Sequence, residues 1–116
     1  TISVLLITVG WLGTIWAMRE NRFFSSAIRI QDDRGQKVIK TGPYHFIRHP
    51  GYIFGSLLIV FQGLAIGSWL SLIPGLLIVG ILVKRTLLEE KMLFEDLPGY
   101  KEYSTRTKFR WVPGLW

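Results

Sequence analysis

The sequence predicts an all-α membrane protein of about three transmembrane helices, one N-terminal helix and a helical hairpin. A polar loop and a C-terminal helical extension complete it on one side. Three observations carry this. The mean hydropathy is positive (+0.32) although the formal charge is +6, a combination typical of small membrane proteins with basic loops. Two long stretches, Ile2–Met18 and Ile53–Val83, contain no charged residue. All 14 Lys and Arg fall in 19–50 or 84–116, and segregation of that kind sets membrane topology. At 116 residues the chain is at most one domain, 1–116. With no cysteine, disulfides and thiolate chemistry are excluded.

Ile2–Met18 would extend about 25 Å as a helix, close to the hydrocarbon thickness. Trp11 and Trp16 suit an interfacial belt, and Arg19, Glu20 and Arg22 end the run. The chain opens on Thr1 and turns apolar at once, which reads as a piece whose upstream spans are missing. A cleaved signal peptide would need a basic leading region and a small-residue cleavage site, and neither is present.

Residues 19–50 hold seven Lys or Arg. Ile28-Arg-Ile30 and Lys37-Val-Ile39 flank the turn-rich Asp32-Asp-Arg-Gly35, so a small hairpin or a loop lying on the headgroups both fit. Ile53–Val83 runs 31 residues, about half again too long for one span. Gly67-Ser68 and Pro74 interrupt it, which predicts a tight hairpin with legs at 53–67 and 70–83. The second leg should continue beyond the membrane, because Lys84–Leu97 contains no breaker before Pro98-Gly99. Gln62, in mid-leg, calls for an interhelical hydrogen bond. Gly51, Gly55, Gly63 and Gly67 recur at multiples of four, a spacing that lets another helix approach closely. Packing within the protomer is favoured over a homo-oligomer seam on that face.

With three spans both basic segments, 19–50 and 84–116, share one side, cytoplasmic by the positive-inside rule. This placement also accounts for the high pI without nucleic acid, for which no motif is present. The basic, aromatic tail 98–116 suits a bilayer surface.

The chemistry concentrates in Thr41-Gly-Pro-Tyr-His-Phe-Ile-Arg-His-Pro-Gly-Tyr52. Pro50 suits the first position of a helix, and that helix start, with its free N–H groups, attracts anions. Tyr44, Arg48, His49 and Tyr52 would gather around it at the membrane edge, a plausible cofactor site. A second constellation is Arg85-Thr-Leu-Leu-Glu-Glu-Lys91. Neighbours on a helix point about 100° apart, so Glu89 and Glu90 do not both face one pocket. Arg85 and Glu89 are placed to pair; a plain solvated amphipathic helix is the simpler reading. Tyr100, Tyr103 and Arg106 follow at helical spacing and would close over the site. His45 and His49 are four apart, but no third ligand supports a metal, and none is expected.

Gly42-Pro43-Tyr44, Arg48-His49-Pro50-x-Tyr52, Glu89-Glu90 and Tyr100-x-x-Tyr103-x-x-Arg106 occur in that order. Together they resemble the isoprenylcysteine carboxyl methyltransferase and phospholipid methyltransferase group of integral membrane enzymes, over about residues 22–116. The resemblance implies transfer of a methyl group from S-adenosylmethionine, leaving S-adenosylhomocysteine, to a lipophilic prenylcysteine-like or lipid acceptor at the cytoplasmic face. It points to a cofactor pocket of Arg48, His49, Pro50, Tyr52, Glu89 and Glu90, with Tyr44, Tyr103 and Arg106 as further candidates. It identifies no general base. The cofactor's carboxylate would suit the helix start with Arg48 or His49. Its ammonium or ribose would suit a Glu, and its adenine or sulfonium a Tyr face.

Two rivals remain at this level. Membrane sterol reductases share an Arg-His-Pro-x-Tyr-like element but use NADPH, and the Glu pair argues against them. A non-catalytic membrane module would use the motif only as a helix cap.

Overall fold

The computed structural model describes residues 2–24, 31 and 35–116. Among these the regular structure is entirely helical: α1 (Ile2–Glu20), α2 (Pro50–Ala65), α3 (Leu72–Asp96) and α4 (Tyr100–Arg106). Single 3-10 turns at Gly42–His45 and Trp69–Ser71 join them.

α1 is an unbroken apolar run with its larger side chains exposed and Gly10, Gly13 and Ala17 buried. Those small residues are the contact surface. A Cβ at Gly13 would fall within the Phe54 ring, and one at Gly10 would lie 2.9 Å from the Phe54 carbonyl oxygen and from Leu58. The glycines that weaken α1 as an isolated helix are thus what brings α2 against it. At its end the Asn21 N–H bonds to the Ala17 carbonyl, and Asn21 Oδ1 accepts the Phe23 N–H at 2.9 Å, turning the chain back.

Pro50 begins α2 and is buried there. The hairpin turn falls at Gly67, whose φ of +83° is a conformation that glycine adopts without strain. Ser68 N–H closes onto the Gly63 carbonyl at 2.9 Å. Pro74 does not break the chain as expected. It lies in the first turn of α3, where a missing N–H costs no intrahelical bond. Among the described residues, only α1 and Trp69–Asp96 are long and apolar enough to cross a membrane; α2 is a shorter apolar helix. The expected three spans therefore reduce to two full-length helices, because α2 is confined to 16 residues between Pro50 and the Gly67 turn.

Gln62 corrects a second expectation: it is exposed and does not face the helix pair. The glycine stripe also divides. Gly51 meets Phe24 and Gly63 meets Ser71, whereas Gly55 and Gly67 have open space where a Cβ would stand. Ile28–Ile30 and Asp32–Arg34, the core of the anticipated hairpin or loop, lie outside the described residues. Beside them, Gln36 N–H donates to the Gln31 carbonyl at 3.2 Å, and buried Gln31 Nε2 donates to the Phe23 carbonyl at 2.8 Å.

The buried core is at the charged end of the molecule. Leu93, Leu97, Tyr100 and Tyr103 pack together, with Val38 and Met92 against them. Gly99, the left-handed residue before α4, lets the chain reverse after α3 so that α4 lies on this cluster. The tail then crosses the 44–49 segment. Thr107 Oγ1 donates to the His45 carbonyl, and the Arg48 and His49 N–H groups donate to the Phe109 and Arg110 carbonyls, both at 2.9 Å.

Candidate functional site

A cavity of about 350 Å³ opens at this end, within the range of small-molecule sites. The segment 44–52, α3 and α4 supply most of its polar and aromatic wall: Tyr44, Arg48, His49, Tyr52, Arg85, Glu89, Tyr100 and Tyr103. Val38, Leu82, Met92, Leu93 and Leu97 make the remainder largely apolar.

The two carboxylates divide their roles. Glu89 lies on the cavity wall. Its Oε2 accepts the Tyr52 hydroxyl proton, and the same hydroxyl accepts a hydrogen bond from Arg85 Nε at 3.0 Å. The anticipated Arg85–Glu89 pair is therefore linked through Tyr52. Glu90, 3% exposed, is turned away from the cavity. Its Oε1 is 2.9 Å from Arg48 Nε and 3.1 Å from His49 Nε2, and its Oε2 accepts a 2.7 Å hydrogen bond from Arg110 Nε. The Arg48 contact is ionic, without hydrogen-bond geometry. Several cationic or polar partners compensate this buried carboxylate, as burial of a charge requires.

The tyrosines make a framework around the opening. The Tyr103 hydroxyl donates to the Tyr44 carbonyl at 2.6 Å, and Asn21 Nδ2 donates to the Tyr44 hydroxyl at 3.2 Å. Burial pushes the Tyr44 phenol up to about 12, opposed in part by the Asn21 hydrogen bond. Burial likewise raises Tyr100 and Tyr103, with nearby Glu90 adding to the effect on Tyr100 and the Tyr44 phenol to that on Tyr103. These rings are neutral donors and apolar faces at physiological pH.

Of the residues singled out in the sequence, Tyr44, Arg48, His49, Tyr52, Glu89 and Tyr103 line one cavity. Pro50 and Glu90 are buried behind it, one starting α2 and the other tying the segment to the tail. Arg106 is exposed and lines no part of the cavity. Six residues along a helix rotate the side chain about 120° off the starting face, so Thr107, four beyond Tyr103, takes the inward position. His45, the other half of the histidine pair, is exposed with its ring edge-on to Phe46. Arg85, Arg110, Trp111 and Thr86 carry contacts that sequence reading missed. Arg85 had a signal, its spacing to Glu89; the tail residues had none, because their partners are 20 or more positions away.

A comparison against protein families places the chain. The model of the isoprenylcysteine carboxyl methyltransferase (ICMT) family matches residues 3–95, from the start of α1 almost to the end of α3. A search of curated proteins gave no match.

Proposed function

Because the chain belongs to the isoprenylcysteine carboxyl methyltransferase family, a family of methyltransferases, we propose that it transfers a methyl group from S-adenosylmethionine to a lipophilic acceptor. The reaction would occur at the cytoplasmic face of the membrane and leave S-adenosylhomocysteine in the cavity. Membership in this family also favours methyl transfer over nicotinamide-dependent reduction or a purely scaffolding role.

One observation carries the cofactor assignment. A carboxylate, two guanidiniums and several aromatic faces converge on a single cavity of about 350 Å³. This donor set matches the cofactor in chemistry. Glu89 would meet its ammonium or ribose hydroxyls, Arg85 its carboxylate, and the Tyr52 or Tyr100 face its adenine or sulfonium. When bound, S-adenosylmethionine supplies a methyl group already activated by the positive sulfur.

The chain's own work is binding, orientation and exclusion of water. Tyr52 holds Glu89 from one side while Arg85 holds Tyr52, so the carboxylate is fixed before any ligand arrives. Glu90 contributes at one remove. It anchors Arg48, His49 and the tail, and so keeps the segment against α3. The apolar wall, Leu82 and Met92 among it, suits a lipophilic acceptor, and a carboxylate acceptor would need no general base.

Calorimetry on the detergent-purified protein tests the assignment. Saturable S-adenosylmethionine binding is expected, weakened at least tenfold by Glu89→Gln in a protein that remains folded. Absence of binding by the folded wild-type chain would overturn the reading.

A further inference from the structure

The family match ends at residue 95, yet the tail beyond it reaches Tyr52 on the cavity wall. Trp111 is 6% exposed, and its indole Nε1 donates a 2.9 Å hydrogen bond to Thr86 Oγ1, on a residue with no exposure at all. Thr86 donates in turn to the Leu82 carbonyl one helical turn back, so the indole is fixed to the α3 backbone. The indole ring then stacks on Tyr52, centroids 6.3 Å apart and planes 29° apart. Tyr52 stacks on His49 as well, at 5.8 Å and 28°. Its hydroxyl is the link between Arg85 and Glu89.

Few rotations remain open to a phenol held in this way. The indole and imidazole restrict its ring, and Arg85 with Glu89 restricts its hydroxyl. Aromatic pairs of this kind add stabilisation beyond burial alone. A buried indole N–H also needs its acceptor, so Thr86 selects one orientation of the tail tryptophan.

We propose that Trp111 is a positioning residue of the methyl-donor site, acting through Tyr52 on Glu89, with Thr86 as its anchor. The proposal rests on the cofactor reading given above and extends the site past the matched region into the tail. Trp111 does not line the cavity and is not expected to touch the donor. Its effect is to keep the Glu89 carboxylate where the donor's ammonium or ribose meets it.

A double-mutant cycle separates this from a general structural role. S-adenosylhomocysteine binding is measured by calorimetry for wild type, Trp111→Ala, Tyr52→Phe and the double variant. Trp111→Ala is expected to weaken binding about tenfold. Added to Tyr52→Phe, which has already removed the hydroxyl link, it should weaken binding less than twofold further. Losses that multiply in the double variant would overturn the proposal, because they show Trp111 acting by another route. Thr86→Val keeps the volume and removes the anchor's acceptor; it covers the case in which Trp111→Ala fails to fold. It should weaken binding in the same direction, with no further loss in the Tyr52→Phe background, and unchanged binding would count against the proposal.

A ligand-free measurement distinguishes failure here from failure of the methyl-donor reading. With 3-fluorotyrosine at position 52, the ¹⁹F resonance should shift or broaden on Thr86→Val. An unmoved signal overturns the positioning role even if wild type binds the cofactor. A signal that moves on Thr86→Val, when the wild-type chain binds no cofactor, leaves the Trp111–Tyr52 coupling standing and overturns the donor-site assignment.

Discussion

At the scale of single residues, the adjacent glutamates show how helical rotation assigns different work to identical side chains. Glu89 remains partly exposed on the cavity wall, whereas buried Glu90 pairs with buried Arg48 and His49 and with half-buried Arg110. Removing one member of such a buried set leaves the others uncompensated, at a cost of about 3–5 kcal/mol. Glu90→Ala should therefore lower the unfolding midpoint in detergent sharply, while Glu89→Gln changes donor binding with little effect on that midpoint. Equal destabilisation by the two would contradict this division. Tyr44 gives a pH prediction. Its folded-state phenol is raised to about 12 from the usual 10, so its neutral form belongs to the native packing. The stability tied to it is fully present below pH 10 and is lost as pH rises through about 12. All four tyrosines line the cavity, so the Tyr44 phenolate is best read as an absorbance difference between wild type and Tyr44→Phe. That difference should rise near pH 12; a rise centred on pH 10 would mean that Tyr44 is solvated.

At the scale of elements, the helices were largely legible and their contacts only partly so. Charge-free runs, Pro50 and Pro98-Gly99 marked the boundaries of α1, α2 and α3 because they act locally, through hydration and backbone sterics. Arg48-His49-Pro50-x-Tyr52 and Glu89 were legible as candidates because their types and order are informative without coordinates, and all of them but Pro50 line the one cavity. Arg110 and Trp111 were not, since a Glu90 or Thr86 partner is chosen only when the tail crosses the segment. The small residues were legible only in part for a similar reason. Spacing drew attention to α2, where Gly51 and Gly63 do meet Phe24 and Ser71, but it did not single out Gly13 of α1, which lies beneath the Phe54 ring. Gly13→Leu should push α1 from α2 and cost about 1–3 kcal/mol, as overpacking does. Gly55→Ala, with open space around its Cβ, should leave stability unchanged or raise it by about 0.5–1 kcal/mol. Thermal unfolding of the two variants checks both, and loss of stability in Gly55→Ala would reveal a neighbour packed on that face.

At the scale of the whole molecule, the lengths of the hairpin legs govern how the site meets the bilayer. The 16 residues of α2 reach about 24 Å, and the charge-free part of the returning leg, Trp69 to Val83, about 22 Å at most. These charge-free parts match one another and are shorter than the roughly 30 Å hydrocarbon thickness, although the returning helix itself continues to Asp96. Their tip is apolar and open, with Ile66, Trp69 and Leu70 each at least 76% exposed, so it suits the far interface better than bulk water. A short hairpin is accommodated by local thinning of the bilayer, which would draw Arg85, Glu89 and the cavity toward the acyl chains and shorten the path of the proposed lipophilic acceptor. The absence of native cysteine makes this directly measurable. In oriented vesicles, Lys40→Cys and Lys108→Cys should react with an impermeant maleimide from one side only, the cytoplasmic one. Ser68→Cys should react only from the other. Labelling of Ser68→Cys from the same side as Lys40→Cys would mean that α2 and α3 enter and leave by one face; the cavity would then be carried on a re-entrant hairpin, with α1 as its only complete span among the described residues.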